Sequence, residues 1–391
     1  MMGSGDLSPK SDTPASLSIP MVVPQAVSKL VAEPRFRRFV TAFCGTQAEA
    51  VLHAADDAVT ERDFQWTVGK QLLKAIIEKT ASGLEYRIDD DIRRRPACLY
   101  ISNHRDIVLD TALLNDALMQ YDKPIPHVAI GDNLLQTEWL VAFLRLCRAF
   151  VIRRDLSGKQ LYVHARRVSE FVRGAIERGE PVWMAQRPGR TKDGADKTEP
   201  ALLRMLLLAY ENAPLGAGEV LHVTPVSVSY EIEPCDVFKA ASLIGATTKN
   251  LPEGRARRDA ANVMRGLVQP KGRICLAIRP PIQVDNSYGL AQKTPGADTV
   301  TALAQKVDQE IVAGYAIWPT NYIAHDLLHQ RVEFSGKYTP AERDAFTTYI
   351  DTRSTEILAP KDEARSALLN LYARPVTEES RICRPISATA E

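Results

Sequence analysis

Apolar positions along the chain follow three successive rhythms. Over residues 34–83 they recur with helical spacing: Phe36, Phe39, Val40 and Phe43 fall at i, i+3, i+4 and i+7, and Val68, Leu72 and Ile76 share one face of a later helix. From residue 97 onward, short apolar runs alternate with helical stretches, the signature of a mostly parallel sheet with crossover helices. The runs predict strands over 98–102, 127–131, 149–153, 182–186, 222–230 and 274–282. The clearest helix between them covers 158–178 and stops at Gly179, where glycine can take the left-handed conformation that ends a helix. After Pro281 the helical rhythm returns, and Thr339, Pro340 and Glu342 form a capping-box start for a helix to about Leu358.

The expected fold class is therefore α/β, a mostly parallel sheet flanked by helices with helical N- and C-terminal additions. The division is a Ser-, Pro- and Gly-rich flexible leader (1–20), a helical N-terminal region (21–92), an α/β domain (93–285), a helical C-terminal region (286–380) and a frayed tail (381–391). No internal repeat is visible.

Charge narrows the partners. The 49 basic and 48 acidic side chains leave a net charge of +1, which lacks the basic excess of a nucleic-acid binder. The six cysteines are widely spaced, with no CxxC or Cys/His pattern, so neither a disulfide framework nor a zinc site is indicated and a reducing cytoplasm fits. His325 and His329 stand at i, i+4 without the glutamate of a zinc-protease helix and are read as packing or surface residues. The longest apolar stretch, 201–210, is short and interrupted by Arg204, so no membrane span or secretion signal is expected. Attachment to the inner face of a membrane stays open. The Phe36, Phe39, Val40, Phe43 stripe, interleaved with Arg35, Arg37 and Arg38, would either dock there as an interfacial helix or pack on the sheet.

Four segments could carry chemistry. Ser102-Asn103-His104-Arg105-Asp106 follows a buried strand and continues to Asp110; a carboxylate bonded to one ring nitrogen of His104 would fix its tautomer and leave the other nitrogen as a base. Alternatively His104 is a plain loop residue, and Asp106 or Asp110 a carboxylate at a helix N-terminus. The stretch from Gly131 to Asp155 ends an apolar strand in Arg153 and Arg154, whose planar donor forks suit phosphate. Gln186-Arg187-Pro188-Gly189-Arg190-Thr191-Lys192-Asp193-Gly194 combines two glycines with three cations after another strand. That composition fits an anion site or a plain turn. Pro225-Val226-Ser227-Val228-Ser229-Tyr230 reads as a core strand.

In order and context these segments resemble the four blocks of the glycerolipid acyltransferase family, which includes glycerol-3-phosphate and lysophosphatidate acyltransferases. The resemblance covers roughly residues 97–232. Two departures stand out. Five residues rather than four separate His104 from Asp110, so Asp106 stays as a rival although the following Asp-x-x-Leu-Leu stretch favours Asp110, and the usual glutamate of the third block is replaced near Arg187 and Pro188.

The resemblance implies an acyltransferase-like fold. It also implies transfer of a fatty acyl group from acyl-CoA or acyl carrier protein, as cosubstrate, to a hydroxyl of glycerol 3-phosphate, lysophosphatidate or a related acceptor. No resident cofactor, metal or nucleic acid is implied. His104 with Asp110 or Asp106 would be catalytic, and Arg153, Arg154, Gly189, Arg190 and Lys192 would hold substrate phosphate. A thioester hydrolase and a silent lipid-binding protein on the same fold are the competing expectations.

Overall fold

A computed structural model of the chain describes residues 19, 21–135, 137–153, 155–210, 216, 220–249, 254–288 and 296–383. Of the expected leader only Ile19 is described, and 384–391 of the expected tail lie outside the described residues.

Five helices come first: α1 (Val23–Ala32), α2 (Pro34–Cys44), α3 (Ala48–Asp56), α4 (Glu61–Phe64) and α5 (Lys70–Thr80). The sheet begins directly after them with β1 (Ala81–Ile88), in a stretch expected to be helical to residue 83. Leu84, Tyr86 and Ile88 alternate along it and pack on the main core, the period-two pattern of a half-buried strand. The α/β unit continues through β2 (Leu99–Ser102), α6 (Leu109–Gln120), β3 (His127–Gly131), α7 (Glu138–Leu146), β4 (Ala149–Ile152), α8 (Gly158–Glu177), β5 (Val182–Ala185), α9 (Pro200–Leu207) and β6 (Leu221–Tyr230). Then come α10 (Asp236–Leu243), β7 (Thr247–Thr248), α11 (Arg255–Val268), β8 (Gly272–Ile278) and β9 (Ile282–Val284). The chain finishes with α12 (Ala297–Ala313), α13 (Pro319–His329), α14 (Pro340–Ser354), β10 (Ile357–Leu358) and α15 (Lys361–Cys383).

Eight strands form the sheet, in the order β1-β8-β6-β2-β5-β3-β4 with β9 beside β6. Strands β2 to β6 are mutually parallel, so the loops leaving their carboxyl ends open on one edge; β8 and β1 run the other way. The run expected as one strand over 274–282 is two. Pro280 and Pro281 have no N–H to donate to a ladder, and β6 changes partner there, from β9 at Val223 to β8 at Val226. Pro225, which has no N–H of its own, falls in this gap. The helix expected to reach Leu358 ends at Ser354, its Thr339/Glu342 capping box formed, and Ile357–Leu358 pairs with β7.

Alternate residues of each strand feed two cores. Tyr100 and Trp183 enter the one covered by the N-terminal helices; Leu99, Ile101, Val182 and Met184 enter the other, covered by α8, α9 and α12. A third cluster joins α10 to α13, α14 and α15. The Phe36, Val40 and Phe43 side chains are buried in the first core, so the α2 stripe is interior packing and not a docking face. Among the described residues no helix is long and apolar enough to cross a membrane.

Candidate active site

The loop after the central strand β2 carries Asn103, His104, Arg105 and Asp106 into the first turn of α6. His104 Nδ1 lies 2.9 Å from Asp110 Oδ2. An ionised carboxylate only accepts, so the ring hydrogen sits on Nδ1 and Nε2 is left as the basic nitrogen of the neutral imidazole. Nε2 has no hydrogen-bond partner among the described residues, and the side chain keeps 15% of its surface exposed.

Asp110 is held from every side. Its Oδ2 also accepts the backbone N–H of Arg105 (2.6 Å) and of Asp106 (2.9 Å), and its Oδ1 accepts the Tyr230 hydroxyl (2.9 Å). Burial, with Asp110 beside it, holds the Tyr230 phenol well above its ordinary range, so it remains a donor. Asp106 does different work. Its Oδ1 accepts the N–H groups of Val108 and Leu109, both at 2.9 Å, and caps the start of α6. The carboxylate bonded to the imidazole is therefore Asp110. Asp106 also explains Gly266 on α11, where a Cβ would sit 2.3 Å from Asp106 Oδ2.

The third segment leaves β5, next to β2 in the sheet. Thr191 N–H donates to the His104 carbonyl (2.9 Å), so this loop is fastened to the histidine's own backbone. Arg187, near the place of the family's glutamate, donates to Thr191 Oγ1 (2.9 Å) and pairs with Asp193 (3.4 Å), which closes the turn on itself. Gly189, at φ +78°, has open space around it, whereas Gly194, at φ +73°, lies where a Cβ would meet the Leu371 carbonyl of α15 at 2.8 Å. The second glycine therefore serves close packing on the C-terminal helices. Arg190 is half-buried, its Nη1 without a hydrogen-bond partner among the described residues, and Lys192 is exposed. Beside Arg190 stands Cys235, whose thiol burial pushes up although Arg190 opposes it, so this cysteine is no thiolate nucleophile.

Arg153 follows β4, three strands from β2, roughly 14 Å away at the usual strand spacing. It pairs with Asp155 (3.2 Å), and its backbone N–H donates to His164 (3.0 Å). The edge thus gathers His104, Asp110, Gly189, Arg190 and Lys192 around two adjacent strands and leaves Arg153 apart. Arg154 lies outside the described residues. Among the described residues no three His, Cys, Asp or Glu side chains converge as a metal site. His325 and His329 lie in contact with ring centroids 4.5 Å apart and planes tilted by 56°, and His325 meets Phe334 edge-on.

Sequence reasoning missed several residues of this site. Trp183 meets the His104 ring edge-on (5.8 Å) and donates to Ser102 Oγ (3.0 Å). Asn103 donates to Asp196 (2.9 Å) and bonds both backbone groups of Val228 on β6. Tyr230 had the appearance of plain core; its place at the carboxyl end of a strand was the available signal.

An acyltransferase family model matches residues 83–207. A glycerol-3-phosphate acyltransferase of Pseudoalteromonas atlantica is 27% identical over 190 residues, 47% of this chain and 23% of the relative. Over that segment the chain is similar to the glycerolipid acyltransferases whose four sequence blocks it resembles. Dihydroxyacetone phosphate acyltransferases of Oryctolagus cuniculus and Homo sapiens are 27% and 28% identical to it over 80% and 78% of its length. The chain spans about half or less of the length of these curated relatives: 55% and 54% of the last two. A crystal structure of the 1-acyl-sn-glycerophosphate acyltransferase of Thermotoga maritima aligns with 69% of this chain at a TM-score of 0.36 and 12% identity. His104, Asp110, Arg153 and the 186–194 loop all fall within the matched acyltransferase segment, and Tyr230 lies beyond it.

Proposed function

We propose that the protein transfers a fatty acyl group from acyl-CoA or acyl carrier protein to a hydroxyl of a small phosphorylated acceptor such as glycerol 3-phosphate, dihydroxyacetone phosphate or lysophosphatidate. The observation that carries this reading is the His104 Nδ1–Asp110 Oδ2 bond of 2.9 Å with Nε2 left unbonded. Nε2 takes the proton of the acceptor hydroxyl as its oxygen attacks the thioester carbonyl, and Asp110 stabilises the imidazolium. The carbon–oxygen bond forms, the carbon–sulfur bond breaks, and the proton passes from the imidazolium to the departing thiolate. No enzyme nucleophile takes part. Arg190 and Lys192, on the loop that leaves the strand next to β2 and is bonded to the His104 carbonyl, suit the acceptor's phosphate; Arg153 is too far along the edge to share it and suits phosphate on the donor.

The product of such a transfer lives in membranes, and the surface that fits a bilayer is the start of α8. Leu161, Tyr162 and Val163 are 47%, 50% and 38% exposed, with Lys159 and Arg167 exposed beside them. This turn follows β4 on the same edge as His104.

The test is thiol release from acyl-CoA and from acyl carrier protein, alone and with each of the three acceptors. Thiol only with acceptor is expected. Thiol without acceptor identifies a hydrolase and thiol in no arm a silent binder, and either outcome overturns the proposal.

A further inference from the structure

Four charged side chains are buried together behind the His104 loop. The Arg105 guanidinium donates to Asp196 Oδ2 at 2.6 Å and to Glu233 Oε2 at 3.4 Å, and Lys239 Nζ reaches Glu233 Oε1 at 2.5 Å. Their exposures are 5% for Arg105 and 3% for Lys239, with the two carboxylates equally enclosed. Burial works against the Arg105 charge, but Asp196 and Glu233 outweigh it and keep the guanidinium ionised. The C-terminal elements complete the cluster. Tyr315, between α12 and α13, donates to Asp196 (2.7 Å), and Tyr372 of α15 accepts the Glu233 N–H (3.1 Å) and donates to Asp236 (3.0 Å).

Buried ion pairs are poor stabilisers, because desolvation offsets most of the attraction between the charges. Their position suggests a different use. The two peptide groups that follow His104 are each bonded at both ends. In the first, the His104 carbonyl accepts Thr191 N–H and the Arg105 N–H donates to Asp110. In the second, the Asp106 N–H donates to Asp110, and the Arg105 carbonyl accepts Lys239 Nζ at 2.7 Å. Three of these four bonds come from the loop itself or its neighbour across the sheet edge. The fourth comes from a side chain on α10, held in place by Glu233.

We infer that Lys239 is a positioning residue for His104: by holding the Arg105 carbonyl it keeps the Asp106 N–H on Asp110 Oδ2, the oxygen that holds the imidazole. Without that donor the second peptide is free to turn. Asp110 Oδ2 then loses one of its two backbone donors, and the imidazole loses its fixed tautomer and orientation. The C-terminal helices, which buttress Glu233 and Asp196 through Tyr372 and Tyr315, thereby become part of the catalytic device. This inference rests on the reading of His104 as the base.

The experiment uses the full chain with Lys239→Met, which keeps the length and removes the donor, and Lys239→Met/Glu233→Gln, which removes one positive and one negative charge and so keeps the net charge of the buried cluster. Two readouts are taken: steady-state kinetics, and the nitrogen and proton resonances of the His104 ring in selectively labelled protein. The expected result for the folded variants is a kcat about ten- to 100-fold lower with KM for both substrates within about twofold. The His104 Nδ1–H resonance should be broadened or lost at the same time. A folded charge-balanced variant with wild-type kcat and an unchanged His104 Nδ1–H resonance overturns the inference. If wild-type protein transfers no acyl group to any acceptor, the reading of His104 as base fails, and the ring resonance alone still decides whether Lys239 positions it.

Discussion

The loop after β2 and the C-terminal helices hold two sets of buried charges, joined at Arg105, by opposite means. The loop holds itself: His104, Asp106 and Asp110 bond within six positions of one another, through backbone N–H groups and one short helix start. The helices reach theirs from far along the chain, with Tyr315 119 residues from Asp196 and Tyr372 136 from Asp236. Contacts of the first kind fold with their own turn and leave a spacing in the sequence. Contacts of the second kind form only when the layers dock. They leave no motif, yet they enclose the larger share of the buried charge.

The largest effect should come from the loop. His104→Ala is expected to lower acyl transfer about 100- to 10,000-fold. The mutant should melt close to wild type, since this partly exposed side chain makes a single hydrogen bond. Thiol release and a thermal unfolding curve are the measurements, and a folded mutant with a near-normal rate would end the assignment.

A paired substitution then separates the two carboxylates of that loop. Asp110→Ala leaves His104, two backbone N–H groups and Tyr230 without their acceptor, so it should lose nearly as much rate as His104→Ala and about 3 kcal/mol of stability. Asp106→Ala removes a helix cap and should cost about 1 kcal/mol. Its rate should stay within about threefold of wild type, because Asp106 does not touch the imidazole. Denaturant unfolding and kcat on both variants decide the matter; a greater loss of rate in Asp106→Ala would reverse the two roles.

What could be read from the sequence divides along the same line. The five parallel strands β2 to β6 were visible because each is a short apolar run closed by turn residues, and the His104–Asp110 pair because both members lie in one turn. Of the two aspartates near enough in sequence to take the imidazole, the resemblance favoured Asp110 and left Asp106 as a rival, and the direction of the α6 start separates them. Strand β1 was hidden because its alternation of Leu84, Tyr86 and Ile88 follows the helix with only Gly83 as a break. The split of β8 from β9 was written in Pro280 and Pro281 but was overridden by the apolar residues on either side. Lys239, Glu233 and Asp196 carried no signal in the sequence, because burial against Arg105, 91 or more positions away, has no local pattern.

A second buried lysine sharpens the contrast between paired and unpaired charge. Lys271 is fully buried like Lys239, but its hydrogen bonds go to neutral oxygens: Gln269 O (2.8 Å), Thr80 Oγ1 (3.1 Å) and Leu267 O (3.4 Å). Burial lowers its amine to about 8, against the opposing pull of Asp106 and Cys235. Between this value and that of the unfolded chain, near 10.5, the unfolded state holds more protons, so stability rises with pH across the window and the penalty is complete below it. Measured against Lys271→Met by denaturant unfolding, the wild type should gain up to about 3 kcal/mol between pH 7 and pH 10. A flat difference would mean that the amine titrates normally.

The smallest effect expected is at the membrane surface, where two apolar stripes invite comparison. Phe36, Val40 and Phe43 are spaced like an interfacial helix, but all three are buried in the first core, so changing them to Ser should unfold the N-terminal helices before it tests any lipid contact. Leu161, Tyr162 and Val163 are consecutive, which no single buried helix face can accommodate, and all three meet solvent at the start of α8. Changing Leu161 and Tyr162 to Ser removes apolar side chains of which about half meets solvent. The melting temperature should therefore fall by only a few degrees while flotation with anionic vesicles weakens about tenfold. Charge adds a second handle: Lys159 and Arg167 flank the turn, so binding to vesicles without anionic lipid should be weaker even for the unaltered protein. Flotation of the double variant at wild-type levels would remove α8 as the docking element.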